Sequence, residues 1–358
     1  MHSIDAKADD RVIALCDGLD THAAAGAVLS GAVAGDVYVD DPARPRSALV
    51  RVKHRFYLAG AADNVGFNAD MGAWFGERVY PEALREGTIE GMMAARCPIR
   101  DMRECYEFEA LPKGAPIRLP EGIALRPVDR ALLAEAGLKG LDALREEMRS
   151  ERPSVEAFLD SGHGMCAIHG REIVSWCLSE YDHGHRCEIG IETAPGYRRQ
   201  GLATATASAL VERLLARGVA RIGWHCWRSN VASGATARRV GFERAAEYPV
   251  YFAWFDEAAN LAVNGNIRLR RGDPVAALTW FARSMAREDA PSWAWFGAAR
   301  AAAALGRVEE ALDHLGSAVD RGFMHAGAIR EAEEFRVLHD SDRWRRLLAR
   351  LAAEGAEG

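Results

Sequence analysis

Apolar β-formers gather in two short runs, Val37–Val39 and Ser47–Val52, separated by the Asp- and Pro-rich stretch 40–46, and Phe56–Leu58 continues the alternation. That pattern predicts strands in a small antiparallel arrangement. Ahead of them Ala8–Leu19 has helical spacing, followed up to residue 30 by small residues with weak preference. Behind them Pro81–Ala95 reads as helix and Met102–Phe108 as strand. Pro and Gly then crowd residues 111–122, which predicts a domain boundary near 120. From Ile123 the pattern alternates: strand 123–127, helices 129–146 and 153–160, strands 163–169, 172–180 and 187–193, helix 204–217, strand 221–226 and a helix after Asn230. Beyond Phe255 the chain turns Ala-rich and helical. Three domains are therefore expected: an α/β unit at 1–120, a larger α/β unit at 121–256 and an all-α unit at 257–358.

The last of these carries a repeat. Gly272/Gly306, Ala277/Ala311, Leu278/Leu312 and Phe281/Leu315 are each 34 residues apart, the tetratricopeptide period. With about two repeats such a module needs a surface to dock on, either the rest of the chain, a protein partner or a second copy.

Composition narrows the class. A length of 358 residues, 49% hydrophobic and 27% charged, fits two or three ordinary globular domains. A net charge of −6 argues against nonspecific nucleic-acid binding, which needs a basic footprint. The pairs Arg198/Arg199 and Arg238/Arg239 stand out on that background, as solvated arginines or as contacts to a phosphorylated ligand. Seven widely spaced cysteines without a Cys-x-x-Cys pair suggest reduced, buried thiols in a cytoplasmic protein and offer no zinc spacing. Neither a signal-peptide pattern nor an apolar run of membrane-spanning length is expected.

One junction carries candidate chemistry. Arg198-Arg-Gln-Gly-Leu-Ala203 lies between the strand ending at Thr193 and the helix beginning near Thr204. Gly201 and the small Ala203 let backbone N–H groups approach an anion, and the helix start adds the positive end of its dipole. The order of features that follows, Trp224-His-Cys226, Asn230-Val-Ala-Ser233, Gly241-Phe242 and Glu247-Tyr-Pro-Val-Tyr251, resembles the GNAT superfamily of acyl-CoA N-acetyltransferases. Its pyrophosphate motif, Arg/Gln-x-x-Gly-x-Gly/Ala, is met by Arg198, Gly201 and Ala203. Within the superfamily the chain is most similar to the branch that includes the zwittermicin A self-resistance acetyltransferase. The resemblance covers roughly residues 35–256 and is strongest from 187 to 251.

The resemblance implies a mixed central sheet flanked by helices, with residues 1–120 either a degenerate second copy or an unrelated cap. It implies acetyl-CoA as donor, its pyrophosphate on Arg198, Arg199, Gln200, Gly201, Leu202, Ala203 and Thr204. The pantetheine arm would pair with the backbone of Ile191 and Thr193, in a gap between strands 187–193 and 221–226. Asn230 and Ser233 match positions that contact the cofactor, and they also suit a helix N-cap. An amine acceptor must lose a proton before attack. Glu188 and Glu192 lie four apart on one face of the motif strand, while His225, His183 and His185 compete for the same role. Many members place a proton-donating tyrosine where this chain has Ala237. Tyr248, Tyr251, Thr236 or water are the alternatives. Trp176, Trp224, Trp227 and Trp254 read as core or as walls of an acceptor cleft. The expected activity is transfer to a primary amine of a small molecule, an amino-bearing natural product on the branch resemblance. The alternatives are a noncatalytic acyl-CoA-binding scaffold and acetylation of a protein held by the repeats.

Overall fold

A computed structural model describes residues 1–5, 9–53, 55–77, 97–111, 119–254 and 256–354. The expected helix Pro81–Ala95 lies outside them. The strands are β1 (His2–Ile4), β2 (Asp36–Val39), β3 (Ser47–Val52), β4 (Arg55–Gly60), β5 (Ile99–Phe108), β6 (Ile123–Pro127), β7 (Gly164–His169), β8 (Glu172–His183), β9 (Arg186–Thr193), β10 (Arg221–Trp227) and β11 (Phe242–Phe252). They form two sheets. One is antiparallel, in the order β1-β2-β3-β4, and the other follows β11-β5-β10-β9-β8-β7-β6. In the second sheet β9 and β10 run parallel, whereas β5 meets β10 and β6 to β9 meet one another antiparallel.

Residues 1–71 and 101–250 form one compact unit and residues 72–100 with 251–358 another. The expected boundary near 120 falls inside the first. The reason is β5, which pairs His225 of β10 with Cys105 and so belongs to the seven-stranded sheet. No local pattern reports a pairing across that sequence distance.

In the first unit, helix Leu202–Ala216 covers one sheet face, burying Ala207, Leu210, Val211 and Leu214 against Cys187, Ile189 and Ile222. Helices Leu141–Glu151 and Val155–Ser161 pack Leu144, Met148 and Phe158 against Trp176 and Leu178. The helix expected over 129–146 is two, Arg130–Leu133 and Leu141–Glu151. Between them Gly137 (φ 74°) and Gly140 (φ 85°) take the left-handed conformation, and a Cβ on Gly140 would press on Ile173 at 3.2 Å.

The N-terminal stretch also departs from its pattern. The helix expected over 8–19 narrows to Asp10–Leu15, capped by the Asp9 carboxylate, and a single tight turn Asp17–Leu19 follows. The stretch expected to have weak preference then forms helix Ala23–Leu29, where Ala23, Ala24, Ala25 and Ala27 are essentially inaccessible. Its four alanines favour helix, and burial secures so short a one. Its core contains Val37, Val39, Val50 and Val52, and it also takes in Tyr181. A register shift in β8 between Glu180 and His183 and a left-handed Tyr181 (φ 53°) turn that ring into the cluster.

The second unit is helical over Glu257–Arg270, Pro274–Met285, Ser292–Ala304, Val308–Asp320, Ala326–Glu331 and Asp342–Glu354. Gly272 (φ 77°) and Gly306 (φ 72°) follow the first and third of these helices in the left-handed conformation, and Ala277, Ala311, Phe281 and Leu315 are all fully buried. Phe281 is pinned between two helices by small residues. A Cβ on Gly265 would lie 2.8 Å from its ring, and one on Gly297 would overlap it. All seven cysteines are free and six are buried. Among the described residues no helix is long and apolar enough to cross a membrane.

Candidate active site

The parallel ladder between β9 and β10 stops early, at Gly223↔Glu188. Both strands continue, β9 along β8 as far as Thr193 and β10 along β5 as far as Trp227. Beyond Glu188 and Gly223 they therefore have no ladder to each other among the described residues. Ala194 N–H donates to Val174 O on β8. Because alternate residues point the same way, the N–H and C=O groups of Ile189, Ile191 and Thr193 turn toward β10. Thr193 O is taken by Arg198 Nε at 3.0 Å. The last ladder pair uses the Ile189 N–H, so the Ile189 C=O and both polar groups of Ile191 face the gap, where an extended ligand could act as an added strand.

At the far end of β9 the chain makes the motif turn. Arg199 (φ 61°) and Gly201 (φ 82°) are both left-handed, and Gly201 is the N-cap of Leu202–Ala216 without a side-chain cap. The first helical bond runs from Ala205 N–H to Gly201 O at 3.0 Å. Leu202, Ala203 and Thr204 N–H thus have no carbonyl within the helix, the arrangement that binds phosphate. Their side chains divide the work: Leu202 is buried beside Ala167 and Val174, and Thr204 is buried. Arg198 Nε and Gln200 Nε2, which donates to Gly196 O at 3.2 Å, hold the loop, and the exposed Arg199 makes none of these contacts.

Where the strands part lies a cavity of about 130 Å³, lined in part by Glu188, His225 and Tyr248. His225 Nε2 is 3.0 Å from Thr21 O, which can only accept, so that nitrogen carries the proton. Burial pushes the imidazole pKa down, leaving it neutral, and Nδ1 therefore accepts from the Tyr248 hydroxyl at 2.8 Å. Burial likewise raises the Tyr248 pKa and keeps the phenol protonated. Glu188 Oε1 accepts Ala23 N–H at 2.7 Å, the first amide of helix Ala23–Leu29, and lies 3.6 Å from His225 Nε2. Carboxylate, imidazole and phenol thus stand in a row.

Several members of this site were not legible in the pattern. His22 stacks on His225 with ring centroids 5.2 Å apart and meets Tyr248 edge-on at 4.7 Å. Burial, helped by His225, lowers its pKa to about 4. Tyr57 packs on His22 at 5.3 Å, and Glu180 faces Glu188 directly across β8 and β9. Gly190 makes room for it, since a Cβ there would overlap the Glu180 carboxylate. Arg55 and Arg103 complete the wall.

The other expected residues are placed differently. Glu192 is exposed and does not line the cavity, although it shares a face with Glu188. His183 Nδ1 bonds Tyr181 O and His185 Nδ1 bonds Gly218 O. Asn230 caps its helix by accepting Ser233 N–H at 3.1 Å, and Ser233 Oγ accepts from the buried Trp224 indole at 3.0 Å. Ala237 is fully buried in the core that holds Trp224, and Thr236 Oγ1 donates to Ala232 O. Trp176 is buried, while Trp227 lies under Arg103. Trp254 and Tyr251 belong to the second unit. Arg238 Nη1 donates to Tyr106 Oη at 2.9 Å, a structural contact.

Comparison with known proteins finds N-acetyltransferases. A curated Bacillus subtilis protein described as the uncharacterized N-acetyltransferase YdfB is 26% identical over 236 residues, 63% of this chain and 88% of its own. A GCN5-related N-acetyltransferase-like protein from Streptococcus suis superposes with a TM-score of 0.47 at 24% identity, over 68% of this chain and 98% of its own. A GCN5-related N-acetyltransferase from Sphaerobacter thermophilus gives 0.46 at 18% identity, over 69% and 91%. The GNAT acetyltransferase family model matches residues 14–251, three strands of the first sheet and every residue lining the cavity included. On that match, the chain belongs to the GNAT acetyltransferase family.

Proposed function

We propose that this enzyme transfers the acetyl group of acetyl-CoA to a primary amine of a small molecule by direct attack on the thioester. The observation that carries the reading is the parting of β9 and β10 immediately above the cavity that holds Glu188, His225 and Tyr248. The donor set suits the co-substrate. Uncapped N–H groups at Leu202, Ala203 and Thr204 match a pyrophosphate, and the open edge at Ile189 and Ile191 matches the amides of a pantetheine arm. From Thr193 to Ile189 is about 13 Å of strand, which sets the reacting end at the cavity when the phosphates sit on the loop.

The cavity residues then take separate tasks. Glu188 accepts the proton that the amine loses as nitrogen bonds to the carbonyl carbon. Tyr248, a hydroxyl of the cavity, turns its proton from His225 Nδ1 to the departing sulfur and protonates the thiolate as the C–S bond breaks. His225 holds that hydroxyl in place. Glu192, outside the cavity, is left without a role. A volume of about 130 Å³ admits several waters' worth of ligand and no folded partner, which favours a small acceptor. The branch resemblance supports an amino-bearing natural product, and the 34-residue correspondence supports a tetratricopeptide-like second unit that engages a partner or another copy. Free CoA released from acetyl-CoA with a panel of small amines, with the acetylated product weighed by mass spectrometry, tests the reading. Binding of acetyl-CoA with no transfer to any amine would leave only a scaffold.

A further inference from the structure

The cavity holds charge of both signs, and one of its cations lacks an anion. Arg103 on β5 spends Nη2 on His225 O at 3.1 Å and stacks its guanidinium 5.3 Å from the Trp227 ring centroid. Its Nε is buried with no hydrogen-bond partner, and among the described residues no carboxylate pairs with it. A guanidinium offers five donors in a fixed fork. Leaving one such donor buried and unmet is costly, so the position is built for a ligand that brings acceptor oxygens. The same cavity presents Glu188 and its cross-strand neighbour Glu180.

We infer that the acceptor is a free amino acid, its amine beside Glu188 and its carboxylate on Arg103. The inference rests on the transferase reading above and adds the chemical class of the substrate. A dipolar ligand satisfies both walls at once, whereas a simple amine leaves Arg103 unmet. The two bonds from a planar carboxylate to the guanidinium edge also fix which way the amine points. The cavity's size limits the part of the acceptor enclosed to the amine, the carboxylate and the carbon between them.

The test uses the full chain and matched pairs: glycine against methylamine, alanine against ethylamine. Transfer is followed by CoA release, and binding by calorimetry on enzyme saturated with CoA. The amino acids should exceed their decarboxylated partners in kcat/KM and in affinity by on the order of 10- to 100-fold, the worth of one charge-assisted hydrogen bond. Arg103→Gln should bring that ratio close to one, and Arg103→Lys should restore part of it. Equal treatment of the pairs by the unaltered enzyme overturns the inference, and that comparison decides even if both variants fail to fold. A rise in the acetyl-CoA KM with the ratio preserved in Arg103→Gln also overturns it, assigning the arginine to the donor. Failure of the transferase reading looks different: no CoA is released with any amine, while calorimetry still reads the preference and its loss.

Discussion

Glu188, the proposed base, also holds a buried backbone amide, and one pair of substitutions separates the two roles. Its Oε1 accepts the buried Ala23 N–H at 2.7 Å, and its carboxylate lines the cavity beside His225. Glu188→Gln keeps an oxygen for Ala23 and removes the base. The hydrogen bond loses its charge assistance, about 1 kcal/mol, while loss of a positioned base lowers kcat on the order of 100- to 10,000-fold. Glu188→Ala adds an unmet buried amide at the start of helix Ala23–Leu29, for a stability loss of roughly 1–3 kcal/mol. Space around the side chain is tight, since a Cβ on Gly223 would lie 3.2 Å from Glu188 Cγ. Urea unfolding reads the stability term, and CoA release at saturating acetyl-CoA and amine reads the catalytic one. With glutamine in place, the residual rate should climb with pH as the amine loses its own proton to solvent. A Glu188→Gln enzyme within threefold of the parent kcat, with an unchanged pH profile, refutes the assignment.

Three further outcomes follow from the geometry. Gly201→Val forces a β-branched residue to φ 82° at the helix start; it should lose about 1–2 kcal/mol of stability and raise the acetyl-CoA KM about tenfold or more, measured by initial rates. His22, with its pKa lowered to about 4, stays neutral in the fold where the unfolded chain protonates near 6.5. Folding therefore loses up to about 3 kcal/mol as pH falls from 6.5 to 4, and His22→Gln should flatten that part of a stability-against-pH curve. Gly297→Ala drives a Cβ into the buried Phe281 ring and should cost about 1–3 kcal/mol by overpacking. Thermal melting checks it, and an unchanged midpoint counts against the described packing of the helical unit.

The parts of the site that lie on one stretch of chain were open to reading in the sequence. Gly201, the small Ala203 and the strand-to-helix order announce an anion turn, because each acts through local backbone chemistry. Spacing alone leaves Glu188 and Glu192 equivalent. What separates them is the segment from Thr21 to Ala23, which covers Glu188 and leaves Glu192 exposed. Arg103 arrives through the pairing of β5 with β10, His22 as the N-cap of helix Ala23–Leu29 and Tyr57 from the other sheet, and none of these long-range placements carries a periodic mark. The Tyr248–His225 bond likewise becomes visible only when β11 and β10 share a sheet with β5 between them. Gly137 and Gly140 did carry a local sign, two glycines inside a helical pattern, and they break the expected helix where they stand.

The open gap between β9 and β10 is expected to deliver a thioester to Glu188 and Tyr248. A crystal structure of the protein with CoA tests it most directly. Pyrophosphate oxygens should lie on the N–H groups of Leu202, Ala203 and Thr204, pantetheine amides on the Ile189 C=O and the Ile191 backbone, and the sulfur at the cavity within reach of the Tyr248 hydroxyl. CoA seated elsewhere, or a sulfur ending away from Glu188 and Tyr248, contradicts it.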